Sequence, residues 1–398
     1  MSFEKWKEEL KENYLETVAW RRHLHAHPEP SFEEVETARF VKEKLESFGI
    51  EDIRTNVGNG YGIVAKIKGQ HPGPTIALRA DFDALQVKEE VESPFKSKNE
   101  GIMHACGHDG HTASLLSVAK VMAKHTDELH GTLVLLHQHA EEVLPGGAKS
   151  MVEDGALEGV DYVFGIHLGA TQPLNKVFYN VAFGSANSDS FNMKIQGKGG
   201  HGAAPHDTHD ALTVGAQIVT NLQQIISRMT DPVKPAVLTF AGFQSGGEAY
   251  NIIADSTEIK GTVRTLHQDV QELVESKLKS MSQSIAAAYD ATVEVDYTKG
   301  YPAIENTPEV VDVVKASLLE DFPENEVAEV KESMGGEDFA YFLKEKPGAF
   351  LRVGAQPPEN SDAFPHHHPK FEIDERALLR SGEVFLSLIR TYLQGQSA

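Results

Sequence analysis

The stretch MHACGHDGH, residues 103–111, concentrates side chains that can bind metal or attack a substrate. It contains Cys106, the only cysteine among 398 residues, and His108 two positions later. A lone cysteine in this setting is a buried thiol, a catalytic nucleophile or a metal ligand. Residues at i and i+2 do not share a helix face, but they can converge from a loop.

Polar side chains also follow three apolar runs that we interpret as strands. They are Asp81 and Asp83 after TIALRA, Glu141 and Glu142 after LVLLHQHA, and His167 at the end of YVFGI. Charged groups that directly continue a buried strand are costly unless something pairs with them. In open α/β sheets, ligands bind beyond the carboxyl ends of the strands. Three such ends therefore predict a site at one edge of the sheet.

Thiolate, imidazole and carboxylate groups are the ligands of zinc and related divalent ions. Five candidates, enough for two ions with one bridging group, are Cys106, His108, Glu142, His167 and one histidine of FPHHHPKF. Neighbouring residues of an extended segment point in opposite directions, so one carboxylate of the Glu141–Glu142 pair could bind metal. The other could take a proton from a water molecule, as in metal-assisted hydrolysis.

The elements that must position these residues alternate between strands and helices, which indicates an α/β sheet with helices on both faces. In the segment SFEEVETARFVKEKLESFG, Ser31 is expected to cap a helix, with Glu34 three residues on and Gly49 at its end. Near Ser185 the pattern changes to alternating strands and two long helices, typical of a separate α+β domain. We therefore predict a metal-binding catalytic domain of residues 1–185 and 299–398, interrupted by an inserted domain of residues 186–298.

Composition narrows the possible partners and the compartment. The formal net charge of −22 argues against nucleic acid and against anionic membrane surfaces, which both select basic patches. One cysteine cannot form an intrachain disulfide, which fits a reducing compartment. The charged N-terminal segment lacks the apolar stretch of a secretory signal, and no run approaches a membrane span. We expect a cytoplasmic protein without a membrane partner.

Ordered motifs along nearly the whole chain carry a family resemblance. They are RRHLHAHPEPSFEE, LRADFDAL, MHACGHDGHTA, HAEE, GIHL, GKGGHGAAPH, YNII, GTVRTL, MGGEDFAYF and HHHPKFEIDE. In this order they resemble the amidohydrolase branch of the dinuclear-metal aminoacylase/carboxypeptidase family. That branch includes hippurate hydrolases, auxin-conjugate hydrolases and N-acetyl-diaminopimelate deacetylases. The resemblance implies a metallopeptidase-like α/β catalytic domain with an inserted α+β domain that dimerises and acts as a lid.

The resemblance also assigns roles to individual residues. The implied ligands of two divalent ions (Zn, Mn, Co or Ni) are Cys106, His108, Glu142, His167 and His367. The family pattern of a histidine, one residue and a proline selects His367, before His368 and Pro369. Glu141 is the implied general base.

Three residues of the inserted domain have implied roles toward the substrate. His201 is expected to reach the active site of a partner subunit, and Asn251 and Arg264 to hold the carboxylate end of the substrate. A planar guanidinium suits bidentate contact with a carboxylate. The resemblance therefore implies a homodimer or a higher homo-oligomer.

Two departures from the family pattern concern the site. The wider family has Gly-His-x-Asp where this chain has Ala80-Asp81-Phe82-Asp83, and an acidic bridging ligand where this chain has Cys106. We expect Asp81 and Asp83 to support the ligands. The branch usually has Phe-Gln-Pro-Ala-Glu-Glu, whereas this chain carries His137 and His139 in that motif; the two histidines either alter metal affinity or simply pack.

Together these observations predict a metal-dependent amidohydrolase that cleaves N-acyl-L-amino acids by a metal-activated water, with Glu141 as base. One alternative is a dipeptidase or aminopeptidase of the same family acting on short peptides. Another is a metal- or peptide-binding protein without turnover. A third makes Cys106 a nucleophile with a histidine base, an enzyme that alkylation would inactivate and chelators would not.

Overall fold

The computed structural model describes residues 2–359 and 362–394 of the protein. Its strands in chain order are β1 (Asp52–Val57), β2 (Gly62–Lys68), β3 (His71–Asp81), β4 (His130–Gln138), β5 (Tyr162–Pro173), β6 (Val177–Tyr179), β7 (Phe183–Ser185), β8 (Asp189–Gln196), β9 (Gly200–His201), β10 (Ala236–Ser245), β11 (Ile252–Ile253), β12 (Ser256–Thr265), β13 (Thr292–Thr298), β14 (Ile304–Glu305), β15 (Val327–Glu329) and β16 (Gly348–Gln356).

The α-helices in chain order are α1 (Ser2–Glu12), α2 (Tyr14–Ala26), α3 (Val35–Ser47), α4 (His108–Met122), α5 (Gly147–Glu153), α6 (Ala211–Gln224), α7 (Gln268–Ala287), α8 (Pro308–Asp321), α9 (Ala340–Glu345) and α10 (Arg376–Leu393). A π-helical turn, Ile225–Met229, continues α6. None of the helices among residues 2–359 and 362–394 combines the length and apolar character that a membrane crossing requires.

The chain forms two compact units. The first consists of the described residues of Met1–Gly184, Glu305–Lys331 and Asp338–Ala398, and the second of Ser185–Ile304 and Glu332–Glu337. These units differ from the predicted ranges at Ser185, 299–304 and 332–337, which lie in the second unit. Hydrogen bonds explain the difference, because Ser188 N–H donates to Tyr301 O and Ala186 N–H donates to Gly335 O.

The first unit contains a mixed eight-stranded sheet in the order β1-β2-β4-β3-β5-β16-β6-β15. The four central strands, β4, β3, β5 and β16, run parallel, so their carboxyl ends lie at one edge of the sheet. Strand β4 is buried along nearly its whole length, as expected for a central strand covered on both faces. Helix α4 is likewise buried on almost every side and packs against α2 and α10. The predicted α/β class is confirmed.

The second unit contains an antiparallel four-stranded sheet in the order β10-β12-β8-β13. Buried and exposed residues alternate strictly along β8, because one face of the strand meets the core and the other faces solvent. The apolar sides of α6 and α7 pack on that core through residues such as Ile218, Leu222 and Val274.

The predicted N-terminal cap of α3 is wrong. The helix begins at Val35, its N-cap is Glu34, and that side chain makes no capping hydrogen bond. Ser31 Oγ instead donates to Asp83 Oδ2 at 2.7 Å, and Glu34 Oε1 accepts from Ala140 N–H at 2.7 Å. The two residues of the expected capping box thus bind loops that follow β3 and β4.

Candidate metal centre

The candidate site lies at the ends of β3 and β4 and beside the middle of β5, which continues to Pro173 although the sequence predicted a strand end at His167. Asp81 is the last residue of β3, Gln138 is the last residue of β4, and His167 lies within β5. The order β4-β3-β5 places β3 between the two strands that follow it in the chain. The chain after β3 runs to β4 on one side, whereas the chain after β5 continues to β6 on the other side. Neighbouring strands whose connections diverge in this way open a ligand-binding crevice in α/β proteins.

The first group of possible ligands is formed by Cys106, His108 and His167, whose donor atoms all lie within 4.8 Å of one another. Cys106 Sγ is 3.5 Å from His167 Nε2. The loop carrying Cys106 enters α4 through Gly107, whose φ of 94° lies in the left-handed region that glycine adopts without strain. This turn places the cysteine just before the helix and His108 at its first residue.

The second group is formed by Cys106, Glu142 and His367, again with all donor atoms within 4.8 Å. His367 Nε2 lies 3.4 Å from Glu142 Oε2, and the His367 side chain is 54% exposed. The His367 N–H donates to Ala105 O at 2.8 Å, which ties the late histidine loop to the cysteine loop. The structure thus brings all five predicted ligands together, and the two groups share Cys106.

Sequence reasoning passed over His366, whose Nδ1 lies 3.7 Å from Cys106 Sγ. Its Nε2 accepts a long hydrogen bond from Ala170 N–H at 3.4 Å. Burial lowers the pKa of His366 to about 3, so its ring is neutral. The run of three histidines at 366–368 was the sequence signal that could have identified His366, since any of the three could lie next to Cys106.

His108 is oriented by Asp83. Its Nδ1 lies 3.0 Å from Asp83 Oδ1 and 3.1 Å from the carbonyl oxygen of the same residue, so Nδ1–H donates there. This bond leaves Nε2 as the nitrogen that faces Glu142, 3.7 Å from Glu142 Oε1. Burial alone lowers the pKa of His108, but the Asp81 and Asp83 carboxylates outweigh it and raise the pKa to about 10. The site therefore has an excess of negative charge.

Asp83 also organises the loop after β4. Its Oδ2 accepts from the Glu142 N–H at 3.0 Å and from Ser31 Oγ at 2.7 Å. Burial raises the pKa of Asp83, but the bonds from His108, Ser31 and Glu142 more than compensate and lower it. One buried carboxylate thus connects the imidazole of His108 with the backbone of Glu142.

Glu141 is buried, with 7% of its surface exposed, and its carboxylate lies within 4.8 Å of donor atoms of His108 and Glu142. An extended chain would point Glu141 and Glu142 in opposite directions. Ala140 instead has a φ of 49°, and this bend after β4 brings both carboxylates toward His108. The Ala140 N–H is held by Glu34 Oε1, which stabilises the bend.

His137 and His139 are fully buried. His137 Nδ1 lies 3.3 Å from Thr112 Oγ1, and the His139 ring packs edge-on to Phe32 with centroids 5.9 Å apart. Burial lowers the pKa of His137 to about 3 and that of His139 to about 4. Both rings are therefore neutral in the folded protein.

The three predicted substrate residues lie in the second unit. His201 in β9 pairs with Ile252 in β11, and Asn251 O accepts from Gly202 N–H at 2.7 Å, so His201 and Asn251 are close neighbours. The Ala203 N–H donates to His201 Nδ1 at 3.0 Å, which leaves Nε2 as the protonated nitrogen of a neutral ring.

Arg264 lies on β12 and is half-buried. Burial lowers the pKa of its guanidinium, and Asp189 partly offsets this. Within the described ranges, no ion pair and no hydrogen bond involves the Arg264 guanidinium. A desolvated cation without a bonded partner is costly unless an anion joins it.

The chain resembles known proteins along most of its length. The model of Peptidase family M20/M25/M40 matches residues 77–391. An N-acyl-L-amino acid amidohydrolase of Geobacillus stearothermophilus is 45% identical over 309 residues, which are 76% of this chain and 82% of the relative. Thermostable carboxypeptidase 1 of Saccharolobus solfataricus is 39% identical over 377 residues, which are 93% of this chain and 95% of the relative.

A solved structure agrees with these relatives. The crystal structure of the Bacillus subtilis YXEP protein, described as a dinuclear metal binding peptidase from the M20 family, matches with a TM-score of 0.83 at 33% identity. The match covers 95% of this chain and 98% of that one. The resemblance inferred from the sequence is confirmed. The chain belongs to Peptidase family M20/M25/M40, and it is a metal-dependent amide hydrolase.

Proposed function

We propose that the protein hydrolyses the amide bond of N-acyl-L-amino acids and that it does so with two divalent metal ions. The observation that carries the proposal is the position of Cys106, which belongs both to the group with His108 and His167 and to the group with Glu142 and His367. A thiolate shared by two sets of ligands is suited to bridging two ions.

The residues fit such ions chemically. Thiolate, imidazole and carboxylate donors form the ligand sets of zinc and of neighbouring divalent metals. In the described part of the chain, His108 Nε2 and Glu142 Oε1 are buried and have no hydrogen-bond partner. Buried polar atoms without partners are rare, and metal binding at these two atoms would account for both.

The bound ions would polarise the amide carbonyl and lower the pKa of the attacking water. Glu141 is the general base in the proposal: its carboxylate takes a proton from the water and later delivers it to the leaving nitrogen. Asp83 keeps His108 and the backbone of Glu142 in place. His108 and Glu142 then hold their donor atoms in position without reorganisation during the reaction.

On the second unit, we assign Arg264 to the substrate carboxylate, where its unpaired guanidinium can form a bidentate contact. Asn251 assists in binding the same end of the substrate. His201 stabilises the oxyanion that forms on the amide carbon, and it serves the active site of the partner in a homodimer. These assignments come from the family resemblance and from the exposed, adjacent positions of His201 and Asn251.

The nucleophile alternative for Cys106 is disfavoured by its electrostatic surroundings. Burial raises the pKa of the Cys106 thiol well above its ordinary value, and the Glu142 and Glu141 carboxylates raise it further. A thiol in such surroundings stays protonated at neutral pH, and the protonated form is a poor nucleophile. A bound cation reverses this effect, because it favours the thiolate as a ligand.

Peptides with a free carboxyl terminus are a second candidate substrate class, since one relative is named as a carboxypeptidase. Both classes present an amide bond near a carboxylate. The test is to remove metal with a chelator, restore Zn²⁺, Mn²⁺, Co²⁺ or Ni²⁺ separately, and compare N-acetyl, N-benzoyl and indole-acetyl amino acids with dipeptides. Substrates whose carboxylate is amidated serve as controls.

We expect hydrolysis of the N-acyl amino acids to disappear with the chelator and return with metal. Preference for dipeptides would replace the proposal with a peptidase activity. Absence of turnover with every ion and substrate would leave a binding protein without catalysis.

A further inference from the structure

His111 lies one turn after His108 on α4 but contacts the strands differently. The Leu168 N–H of β5 donates to His111 Nε2 at 2.9 Å, so that nitrogen carries a lone pair and no proton. The proton of the neutral ring is therefore on Nδ1, which lies 2.6 Å from Asp81 Oδ1 and donates to it. These two bonds define the tautomer of His111.

The same two bonds keep His111 from acting as a ligand. Asp81, His108 and His111 are close enough to form a metal-binding group by distance alone. His108 has its Nε2 without a hydrogen-bond partner, whereas both nitrogens of His111 are already bonded. His111 could bind an ion only by giving up its bond to Asp81 Oδ1 or to the Leu168 N–H in a buried site.

Asp81 is itself held rigidly at the end of β3. Arg79 Nη1 pairs with Asp81 Oδ2 at 2.7 Å, and Arg79 Nε donates to Gln138 Oε1 at 2.7 Å. Arg79 Nη2 also pairs with Asp338 Oδ1 at 3.0 Å. These side chains are fully buried, so Asp81 gives His111 a stationary anchor connected to both β3 and β4.

Close packing brings the helix to the strand. A Cβ atom on Gly110 would lie 2.6 Å from Leu168 Cδ1, so a larger residue there would require the buried Leu168 side chain to shift. The His111 ring also packs edge-on to the His167 ring, with centroids 4.6 Å apart. His111 thus touches the ligand candidate His167 through its ring and holds the next backbone amide.

We propose that His111 is a positioning residue that links Asp81 to the Leu168 backbone and thereby fixes His167 opposite Cys106. The proposal rests on the ligand set of the proposed function. It predicts that breaking the link weakens metal binding without changing the number of ions bound, because no donor atom is removed. Removing such an outer partner of a metal ligand typically lowers affinity about 10- to 100-fold.

The test uses the metal-free full-length protein titrated with Co²⁺ without substrate. Calorimetry gives affinity and stoichiometry, and the thiolate-to-cobalt absorption reports whether Cys106 binds. His111→Leu keeps volume but removes both hydrogen bonds, whereas His111→Gln retains one donor and one acceptor. We expect His111→Leu to bind Co²⁺ about 10- to 100-fold more weakly at unchanged stoichiometry, and His111→Gln to recover most of the loss.

Asn306→Ala is the matched control. Asn306 is also buried, accepts from the Phe350 N–H of β16 at 2.8 Å and donates to Asn180 O at 3.0 Å, so its loss removes an equivalent pair of bonds. We expect Asn306→Ala to lower the thermal midpoint of the metal-free protein but to bind Co²⁺ like the wild type. An equal loss of affinity in this control would overturn the proposal.

Two further results would also overturn it. One is wild-type affinity and absorption in His111→Leu; the other is the loss of one ion in both His111 variants, which would make His111 a ligand. If His111→Leu does not fold, Asp81→Asn is titrated in its place, because it weakens the anchor of His111. We expect this variant to bind Co²⁺ about 10-fold more weakly. Unchanged affinity would contradict the proposal. If the wild-type protein binds Co²⁺ but hydrolyses none of the substrates, the proposed function is refuted. The positioning role of His111 is still decided by the Co²⁺ titration.

Discussion

Cys106 Sγ lies 3.5 Å from His167 Nε2 although 61 residues separate the two in the chain. His167 comes from the middle of β5, and Cys106 from the loop that enters α4. His167 Nδ1–H donates to Leu168 O at 2.8 Å, which turns Nε2 toward the sulfur. This pairing of an oriented imidazole with a lone cysteine lies at the centre of the candidate site.

The first prediction concerns the bridging role of Cys106. Cys106→Ala should lose one or both ions, because it removes a donor common to both ligand groups. Cys106→Asp should retain more metal, since it restores an anionic donor. Metal content after dialysis, measured by mass spectrometry, checks both variants. Two ions bound by Cys106→Ala as tightly as by the wild type would rule out bridging by the sulfur.

The second prediction concerns Glu141. Glu141→Gln keeps the shape of the side chain but removes the proton acceptor, so turnover should fall roughly 100-fold or more. Metal content should stay near that of the wild type, whereas Glu142→Gln should lose metal and serves as the contrast. Rapid hydrolysis by fully metallated Glu141→Gln would remove Glu141 from the mechanism.

The third prediction concerns the carboxylate-binding role of Arg264. Arg264→Ala should raise KM for N-acyl amino acids by roughly 10- to 100-fold, the size of a lost charged hydrogen bond. Lys260→Ala, an exposed cation on the same strand, is the control and should change little. Steady-state kinetics with free and amidated substrates measures the effect. An equal KM change for amidated substrates would show that Arg264 does not bind the carboxylate.

The fourth prediction is a pH dependence that originates at Glu34. Burial raises the pKa of Glu34 to about 8, and the Asp83 carboxylate contributes to the increase. In the unfolded chain the group ionises near pH 4.3. Between these values the folded state keeps a proton that the unfolded state has lost, so stability falls as pH rises toward 8. Below pH 4 the destabilisation from Glu34 is absent, and above pH 8 it has reached its full size.

Glu34→Gln removes this ionisation and retains an oxygen that can accept from Ala140 N–H. The metal-free variant should therefore gain thermal stability relative to the wild type between pH 5 and pH 9. Thermal midpoints of both proteins across this range provide the measurement. Parallel pH profiles for the two proteins would show that Glu34 is not neutral in the folded state.

The fifth prediction tests whether His201 acts across a dimer. His201→Ala should bind metal normally, remain dimeric and lose most turnover. Co-expression with Glu141→Gln should restore activity, because a mixed dimer then has one site with an intact Glu141 and a His201 from the other chain. Random mixing makes about half of the dimers mixed, with one working site of two, so about a quarter of wild-type activity is expected.

Mixed dimers are confirmed by two different affinity tags before activity is measured. The parent variants, purified in the same way, provide the background. Confirmed mixed dimers that are no more active than the parents would place His201 in its own subunit or outside the mechanism.

The sequence by itself determined the α/β class and the residues that gather at the metal centre. Periodicity and apolar runs are local signals, and β4 and α4 form where these signals predict a strand and a helix. Polar residues after the apolar runs of β3, β4 and β5 indicated one site, because the carboxyl ends of parallel strands lie at the same edge. The strand β5 itself continues beyond His167 to Pro173. Cys106 and His108 were recognisable from their spacing and from the resemblance that the rest of the chain carries.

Only the tertiary structure decided which polar side chains position the others. Ser31 and Glu34 match a helix cap locally, but Asp83 and Ala140, distant in the chain, take their bonds. His111 matches a metal ligand by type and spacing, but Leu168 and Asp81 use both of its nitrogens. A side chain with several possible partners bonds the one that folding brings within reach, and that depends on packing between distant segments.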